Sequence, residues 1–353
     1  MVYLRGAALL LMMIHHLIGF PEWIADENKI IDEALPVLYN AEHIFANRFG
    51  KICVSMFTFF AGFGLSVRED KYRHFRSRAE KVLDIFASYW IIQAVYLVFG
   101  IAAGEPMPTI SELILNIFSL GTGTPWTNGI SHINVSFAWY LTFYGAAVLA
   151  FPAIVKFLRR GFVRDSIFAV LFMLLSGAVF HIILGRKNET LYTLEMCISV
   201  YIPVFMAGYI INRYDIFEKA EKLLPRFKTP AVYILAIAVT VSAKLVLDDF
   251  WIVNSLDIIY VPVLVFALIK AASYLRLPKP ARTCAYAVGR HSLEIWLLSG
   301  IFFTPDRTLQ WLAYLPKVGA AAAIWSILLL MPAAVGIRRL IGLIKKNVLS
   351  ARR

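Results

Sequence analysis

The chain has 353 residues, 59% of them hydrophobic, and a mean hydropathy of +0.69; soluble domains usually stay near about 45–50% apolar, so an ordinary soluble fold is excluded. A formal charge of +12, with no nucleic-acid motif or aromatic-interleaved basic patch, reads as the Lys/Arg excess of cytoplasmic loops and excludes nucleic acid as a partner. Cys53, Cys197 and Cys284 lie far apart and form no CxxC or Cys/His pattern, which excludes a disulfide framework and a structural zinc site.

Apolar runs long enough to cross a membrane, on the order of 17–25 residues, fall at 3–20, 51–67, 83–103, 133–155, 166–184, 194–212, 231–247, 255–275, 286–303 and 317–337. The expected fold is all-α: a polytopic membrane bundle of about ten helices, one membrane-embedded domain over 1–353. The first run has Arg5 ahead of it and no small-x-small site after it, so it is expected to be a retained transmembrane helix and not a cleaved signal. With the N-terminus in the cytoplasm, the inner segments "REDKYRHFRSRAEK", "KFLRRGFVRD", "NRYDIFEKAEKLLPRFK", "KAASYLRLPKPAR" and the tail hold most of the 35 Lys and Arg. That asymmetry predicts both termini in the cytoplasm and a multi-pass protein of the plasma or inner membrane. The outer loop 21–50 is acidic, and the outer loop 104–132 is rich in Gly, Thr and Asn.

The first helix carries the adjacent pair His15 and His16. An ionisable group inside a membrane span marks function by default. Arg5 lies 11 residues before His16. At about 100° per residue that is three turns plus about 20°, the same face, with about 16 Å of rise between them. His15 lies about 80° off that stripe. One stripe therefore carries a cation at the cytoplasmic mouth and an imidazole towards the outer leaflet, which suits a long, thin, anionic substrate entering from the cytoplasm. Metal binding is not expected, because adjacent histidines on a helix rarely reach one ion and no HExxH occurs.

The inner loop 68–81 holds Arg68, Lys71, Arg73, Arg76, Arg78 and Lys81. Contact with anionic lipid is one reading; a clamp on phosphate oxygens is the sharper one. In "SHINVSFAWYLTFY", Trp139 and Tyr140 are expected to pack or to line a cavity. Glu294 follows Arg290 by four residues, which predicts a local ion pair. No GxSxG and no P-loop occur, which argues against a nucleophile elbow and an ATPase.

These pieces together resemble the acyltransferase 3 family of integral membrane acyltransferases. "LRGAALLLMMIHHL" is similar to the family's first helix, an Arg-Gly pair followed by an apolar run and a histidine; "FGKICVSMFTFFAGFGLSV", "AWYLTFY" and "VGRHSLEIWLLSG" resemble its later blocks. The resemblance covers nearly the whole chain and selects Arg5 and His16 by their spacing. Its Arg-x-x-Arg motif is met literally by Arg73 to Arg76 and, by position before Tyr89-Trp90, by Arg78 to Lys81. Tyr144 stands where many members have a glutamate, and Ser299 where related chains have a histidine.

The resemblance implies a membrane-bound O-acyltransferase that moves an acyl group, most often acetyl, from cytoplasmic acyl-CoA to a hydroxyl of a cell-surface or lipid-linked carbohydrate. His16 is then the expected general base with His15 beside it. Arg5, Arg73, Arg76, Arg78 and Lys81 are the expected donor-binding cations. Trp126, Asn134, Trp139 and Tyr140 are expected to bind the acceptor or line the cavity, with Tyr140 and Asn134 as candidates for the developing oxyanion. Expected partners are acyl-CoA as co-substrate, the carbohydrate, membrane lipids and a second copy in a homodimer; no resident cofactor and no metal are expected. A transporter or flippase of a lipid-linked saccharide shares the helix count and the basic inner face, and a non-enzymatic membrane protein shares the composition. Acetyl-CoA binding separates both from an acyltransferase.

Overall fold

A computed structural model of the chain describes residues 1–20, 24, 28, 36–102, 107–119, 138–183, 194–223, 229–247, 256–275, 278–302 and 309–350, the side chains of 36, 181, 183, 275 and 348–350 excepted. Among the described residues every regular element is helical. A chain this apolar leaves few other solutions, since lipid offers no partner to a free backbone N–H or C=O and a helix satisfies its own.

The elements are α1 (Val2–Ile18), α2 (Pro36–Ile44), a π-turn (Phe45–Phe49), α3 (Ile52–Val67), α4 (Glu69–Arg73), α5 (Phe75–Ala102), α6 (Ile110–Ile117), α7 (Trp139–Lys156) and α8 (Phe162–Ala178) with a π-turn (Val179–Ile183). A further π-turn (Met196–Tyr201) leads into α9 (Ile202–Arg213), followed by α10 (Ile216–Leu223), α11 (Pro230–Leu247), α12 (Asp257–Leu275), α13 (Lys279–Arg290) and α14 (Ser292–Leu298) with a 3₁₀ turn (Ser299–Phe302). The last two are α15 (Gln310–Tyr314) and α16 (Gly319–Ser350). Among the described residues seven helices are long and apolar enough to cross a membrane: Val37–Val67, Phe75–Ala102, Trp139–Lys156, Met196–Arg213, Pro230–Leu247, Asp257–Tyr274 and Gly319–Asn347. Two shorter apolar helices, Val2–Ile18 and Ser292–Phe302, accompany them. The protein is a polytopic helical membrane bundle.

Helix α1 packs among several others. Leu4, Ala8, Leu9, Met12, Met13, Leu17 and Ile18 are buried, against α3, α13, α14 and α16 among others. Its neighbour α3 crosses α9 at two small residues. A Cβ on Gly62 would overlap the Phe205 carbonyl, and one on Gly208 would overlap the Phe59 carbonyl. Without a hydrophobic drive between helices in lipid, such small-residue contacts let backbones approach and gain dispersion. Peripheral α11 is different: of its residues only Tyr233, Thr240 and Lys244 are buried, and a buried ion pair anchors its C-terminal end. Lys244 Nζ lies 2.7 Å from Asp257 Oδ1 with both side chains buried, Ser55 donates to Asp257 Oδ2 at 2.5 Å, and Arg48 donates to the Leu245 carbonyl at 3.0 Å.

The observed helices correct the expected runs in three places. The run 51–67 begins fifteen residues earlier as α2 and its π-turn; Glu42 of α2 accepts from the Gly319 N–H and His43 bonds to the Ile18 carbonyl. The run 317–337 continues as a helix to Ser350, with residues 342–347 exposed. The run 286–303 is broken at His291: amphipathic α13 lies on the first turns of α1, and α14 starts anew at Ser292.

Candidate functional site

The two ends of α1 define the site. At its C-terminal end three side chains fix the helix. The Tyr314 hydroxyl donates to the Leu17 carbonyl at 2.6 Å, Asn47 Nδ2 donates to the Gly19 carbonyl at 3.0 Å, and His43 Nδ1 donates to the Ile18 carbonyl at 3.0 Å. These carbonyls have no partner within the helix, so the long-range donors hold the last turn where the histidines are. His15 Nδ1 lies 2.8 Å from the carbonyl of Ala46 in the first π-turn. A carbonyl only accepts, so Nδ1 carries the proton, and in the neutral ring the lone pair is on Nε2. The His15 and His16 rings are 5.4 Å apart, centre to centre. Gly50 closes the same wall: a Cβ there would stand 2.8 Å from Cβ of His15.

A cavity of about 680 Å³ runs along this helix. At the Arg5 end it is lined by Arg5, Arg68, Lys81, Arg290 and Arg338, with the carboxylates of Asp84 and Glu294 among them. At the histidine end it is lined by His15, His16, Lys51, Cys53 and an aromatic wall of Trp139, Tyr140, Tyr201 and Trp296. Trp139 stacks on Tyr201 with centroids 5.8 Å apart, and Tyr140 meets Trp296 edge-on at 6.0 Å. The Thr58 hydroxyl sits between the Val54 carbonyl, 2.9 Å away, and the Tyr140 hydroxyl, 3.2 Å away. One chamber therefore has a cationic mouth, an apolar throat and an imidazole-bearing end.

The cations at the mouth are held in a network. Arg338, from α16, lies 3.5 Å from Glu294 on α14 and 3.4 Å from Asp84 on α5; Lys345 also pairs with Asp84. Glu294 is buried and accepts from Ser88 at 2.9 Å. The expected pairing of Glu294 with Arg290 is corrected: the partners are Arg338 and Ser88. The break at His291 ends the continuous helix on which an i, i+4 pair depends. His291, at that junction outside the spans, has its pKa lowered by burial, with Glu294 opposing and Arg290 and Arg338 adding to the shift.

Of the residues singled out from the sequence, Arg5, His15, His16, Lys81, Trp139 and Tyr140 share this cavity. Arg73, Arg76 and Arg78 are not in its lining. Arg73 pairs with Glu69 and Asp70, Arg76 is exposed and pairs with Glu80, and Arg78 turns inward to donate to the carbonyls of Tyr72 and Arg73 at 2.9 and 2.7 Å. That last pair of bonds closes the corner between α4 and α5. Trp126 and Asn134 lie outside the described residues. Arg290, Arg338 and Glu294 join the site without having been marked as site residues by the sequence. Among the described residues no group of three or more His, Cys, Asp or Glu side chains is placed to hold a metal ion.

Comparison with known proteins adds one match. The acyltransferase 3 family model, described as an acyltransferase domain, matches residues 2–338, a span that includes every lining residue of the cavity. Searches of curated proteins and of solved structures return no match. The family match covers nearly all of the chain, and the chain belongs to the acyltransferase 3 family.

Proposed function

We propose that this acyltransferase takes an acyl group, acetyl in the simplest case, from cytoplasmic acyl-CoA and passes it to a hydroxyl of a cell-surface or lipid-linked carbohydrate. The observation that carries this reading is the single cavity with five cations at one end and two histidines at the other. A donor with a charged head, a thin arm and a reactive thioester at its tip has this shape. Coulombic attraction and forked guanidinium bonds favour phosphate at the mouth, and the aromatic wall offers faces on which a sugar ring can lie.

In the proposed orientation the Arg5 end faces the cytoplasm, as do both termini, and the membrane is the plasma or inner membrane. Ten passes follow when α1, α8 with its π-turn and α14 with its 3₁₀ turn each cross in addition to the seven long helices.

The chemistry is direct transfer. The acceptor hydroxyl oxygen attacks the thioester carbonyl while the His16 imidazole takes the hydroxyl proton. The tetrahedral oxyanion collapses, the C–S bond breaks, and the imidazolium returns its proton to the departing sulfur. The products are the sugar ester and the CoA thiol, with no net proton change. A positioned imidazole contributes about 10²–10⁴-fold in such a step. Tyr140 stabilises the oxyanion with its phenolic proton when Thr58 gives its own proton to Tyr140. No resident cofactor takes part.

One observation favours a second assignment of the base. The Ala46 carbonyl fixes the His15 tautomer with a lone pair on Nε2, the form that a base needs. Purified protein tested with acetyl-CoA decides between acyl transfer and transport: a donor-dependent rise in melting temperature and release of CoA thiol are expected, and the absence of both removes the proposal.

A further inference from the structure

Beside the main cavity lies a smaller one of about 370 Å³. It forms where the C-terminus of α3 turns into α4 and meets the last residue of α9. Four cations line it, Arg68, Lys71, Arg73 and Arg213, with two acids, Glu69 and Asp70. Both acids are already committed. Glu69 accepts from the Tyr209 hydroxyl at 2.9 Å and pairs with Arg73 and Arg159; Asp70 lies 3.5 Å from Arg73. Among the described residues no carboxylate comes within ion-pair distance of Arg68, Lys71 or Arg213. Arg68 also lines the main cavity, so the two volumes share one guanidinium.

Excess cations at the cytoplasmic face are ordinary in a membrane protein. Here they surround a concavity, the buried acid among them, Glu69, is paired with Arg73 and Arg159, and the concavity adjoins the mouth through which the donor enters. Coenzyme A has a matching shape. Its diphosphate is in line with the pantetheine arm, and its ribose 3′-phosphate branches to the side. With the arm in the main cavity, the branch needs a cationic recess next to the mouth.

Given the acyl-CoA donor proposed above, we infer that this smaller cavity is a phosphomonoester subsite for the donor's ribose 3′-phosphate, held by Arg68, Lys71 and Arg213. The cations of the main mouth take the diphosphate. An anionic lipid headgroup offers the same phosphate chemistry, and the experiment separates the two sources.

The full chain, purified in detergent, is assayed with acetyl-CoA and with acetyl-3′-dephospho-CoA, as wild type and as Lys71→Gln/Arg213→Gln. The wild type is expected to show a KM about tenfold or more higher for the dephospho donor at unchanged kcat, the size of one charge-assisted contact. In the double variant the KM for acetyl-CoA rises to that of the dephospho donor, whose own KM stays put. Arg213→Lys retains part of the preference. Equal use of both donors by the wild type overturns the subsite, and so does a variant that keeps the full preference. If native mass spectrometry shows the variant losing bound anionic phospholipid while its donor preference persists, the cavity is a headgroup site and the inference is wrong. Adenosine 3′,5′-bisphosphate, which has no acyl group, is the third probe. Its thermal shift, and the loss of that shift in Arg213→Gln, report on the subsite even where neither donor is turned over, so failure of the subsite and failure of the donor reading give different results.

Discussion

Replacing Asp257 by asparagine removes one charge from a pair that has no water to fall back on. Lys244 Nζ is fully buried and 2.7 Å from Asp257 Oδ1, and Ser55 holds the other carboxylate oxygen at 2.5 Å. The Tyr260 ring, 5.9 Å from Nζ, is a weak substitute for a counter-charge. Asparagine keeps the shape and an acceptor but leaves the ammonium uncompensated, and breaking a buried pair in this way costs about 3–5 kcal/mol. Most of that is the penalty for the stranded ion. Lys244→Met/Asp257→Leu, which removes both charges, is therefore expected to regain most of it. The assay is reversible unfolding in mixed detergent micelles, with α11 as the element that loosens first, since of its other residues only Tyr233 and Thr240 are buried. Neither member of the pair lines the main cavity, so activity per folded molecule is expected to stay within about twofold. A loss below about 1 kcal/mol for Asp257→Asn, or a double variant worse than the single one, refutes the reasoning.

Other perturbations separate structure from chemistry. Gly50→Val puts a side chain against Cβ of His15, and acyl transfer is expected to fall about tenfold or more while acetyl-CoA affinity is kept, as a sub-ångström shift of a catalytic group allows; single-turnover rates and a binding isotherm check it. Arg338→Ala removes a cation from the mouth and takes from Glu294 its ion-pair partner, while Asp84 keeps Lys345, so the donor KM is expected to rise about tenfold, measured in steady state. Arg76→Ala changes an exposed side chain paired with Glu80, and both KM and stability are expected to stay near wild type. Arg78→Met loses two bonds to carbonyls at the α4–α5 corner and is expected to cost about 1.5–3 kcal/mol of stability, read in the same unfolding assay.

The part of the site that lies on one helix was legible in the sequence, because a period of 3.6 is enough to put Arg5 and His16 on one stripe. The family resemblance and the helical bundle were legible for a similar reason, local runs in a fixed order. What joins distant segments was not. The bond from His15 to Ala46 depends on a π-turn between α2 and α3, and no residue pattern in "FANRF" announces an i→i+5 turn. Arg338 was hidden by abundance: every cytoplasmic segment is basic, so charge alone could not say which cation turns into the cavity. Glu294 was assigned the wrong partner because local spacing assumes an unbroken helix, and His291 breaks it. Arg73, Arg76 and Arg78 were adjacent to the mouth in sequence, yet α4 is so short that its corner sends each of them in a different direction.

The central claim is that a histidine at the end of α1 moves the proton while acyl-CoA is held in the same cavity. Its most direct measurement is acyl transfer from radiolabelled acetyl-CoA by purified wild type, His16→Ala and His15→Ala, alongside acetyl-CoA binding by each. The account predicts that His16→Ala lowers the transfer rate by about 10²–10⁴-fold while binding acetyl-CoA with near wild-type affinity, and that His15→Ala loses less. The reverse order of the two variants moves the base to His15. Near wild-type transfer by both variants contradicts the claim.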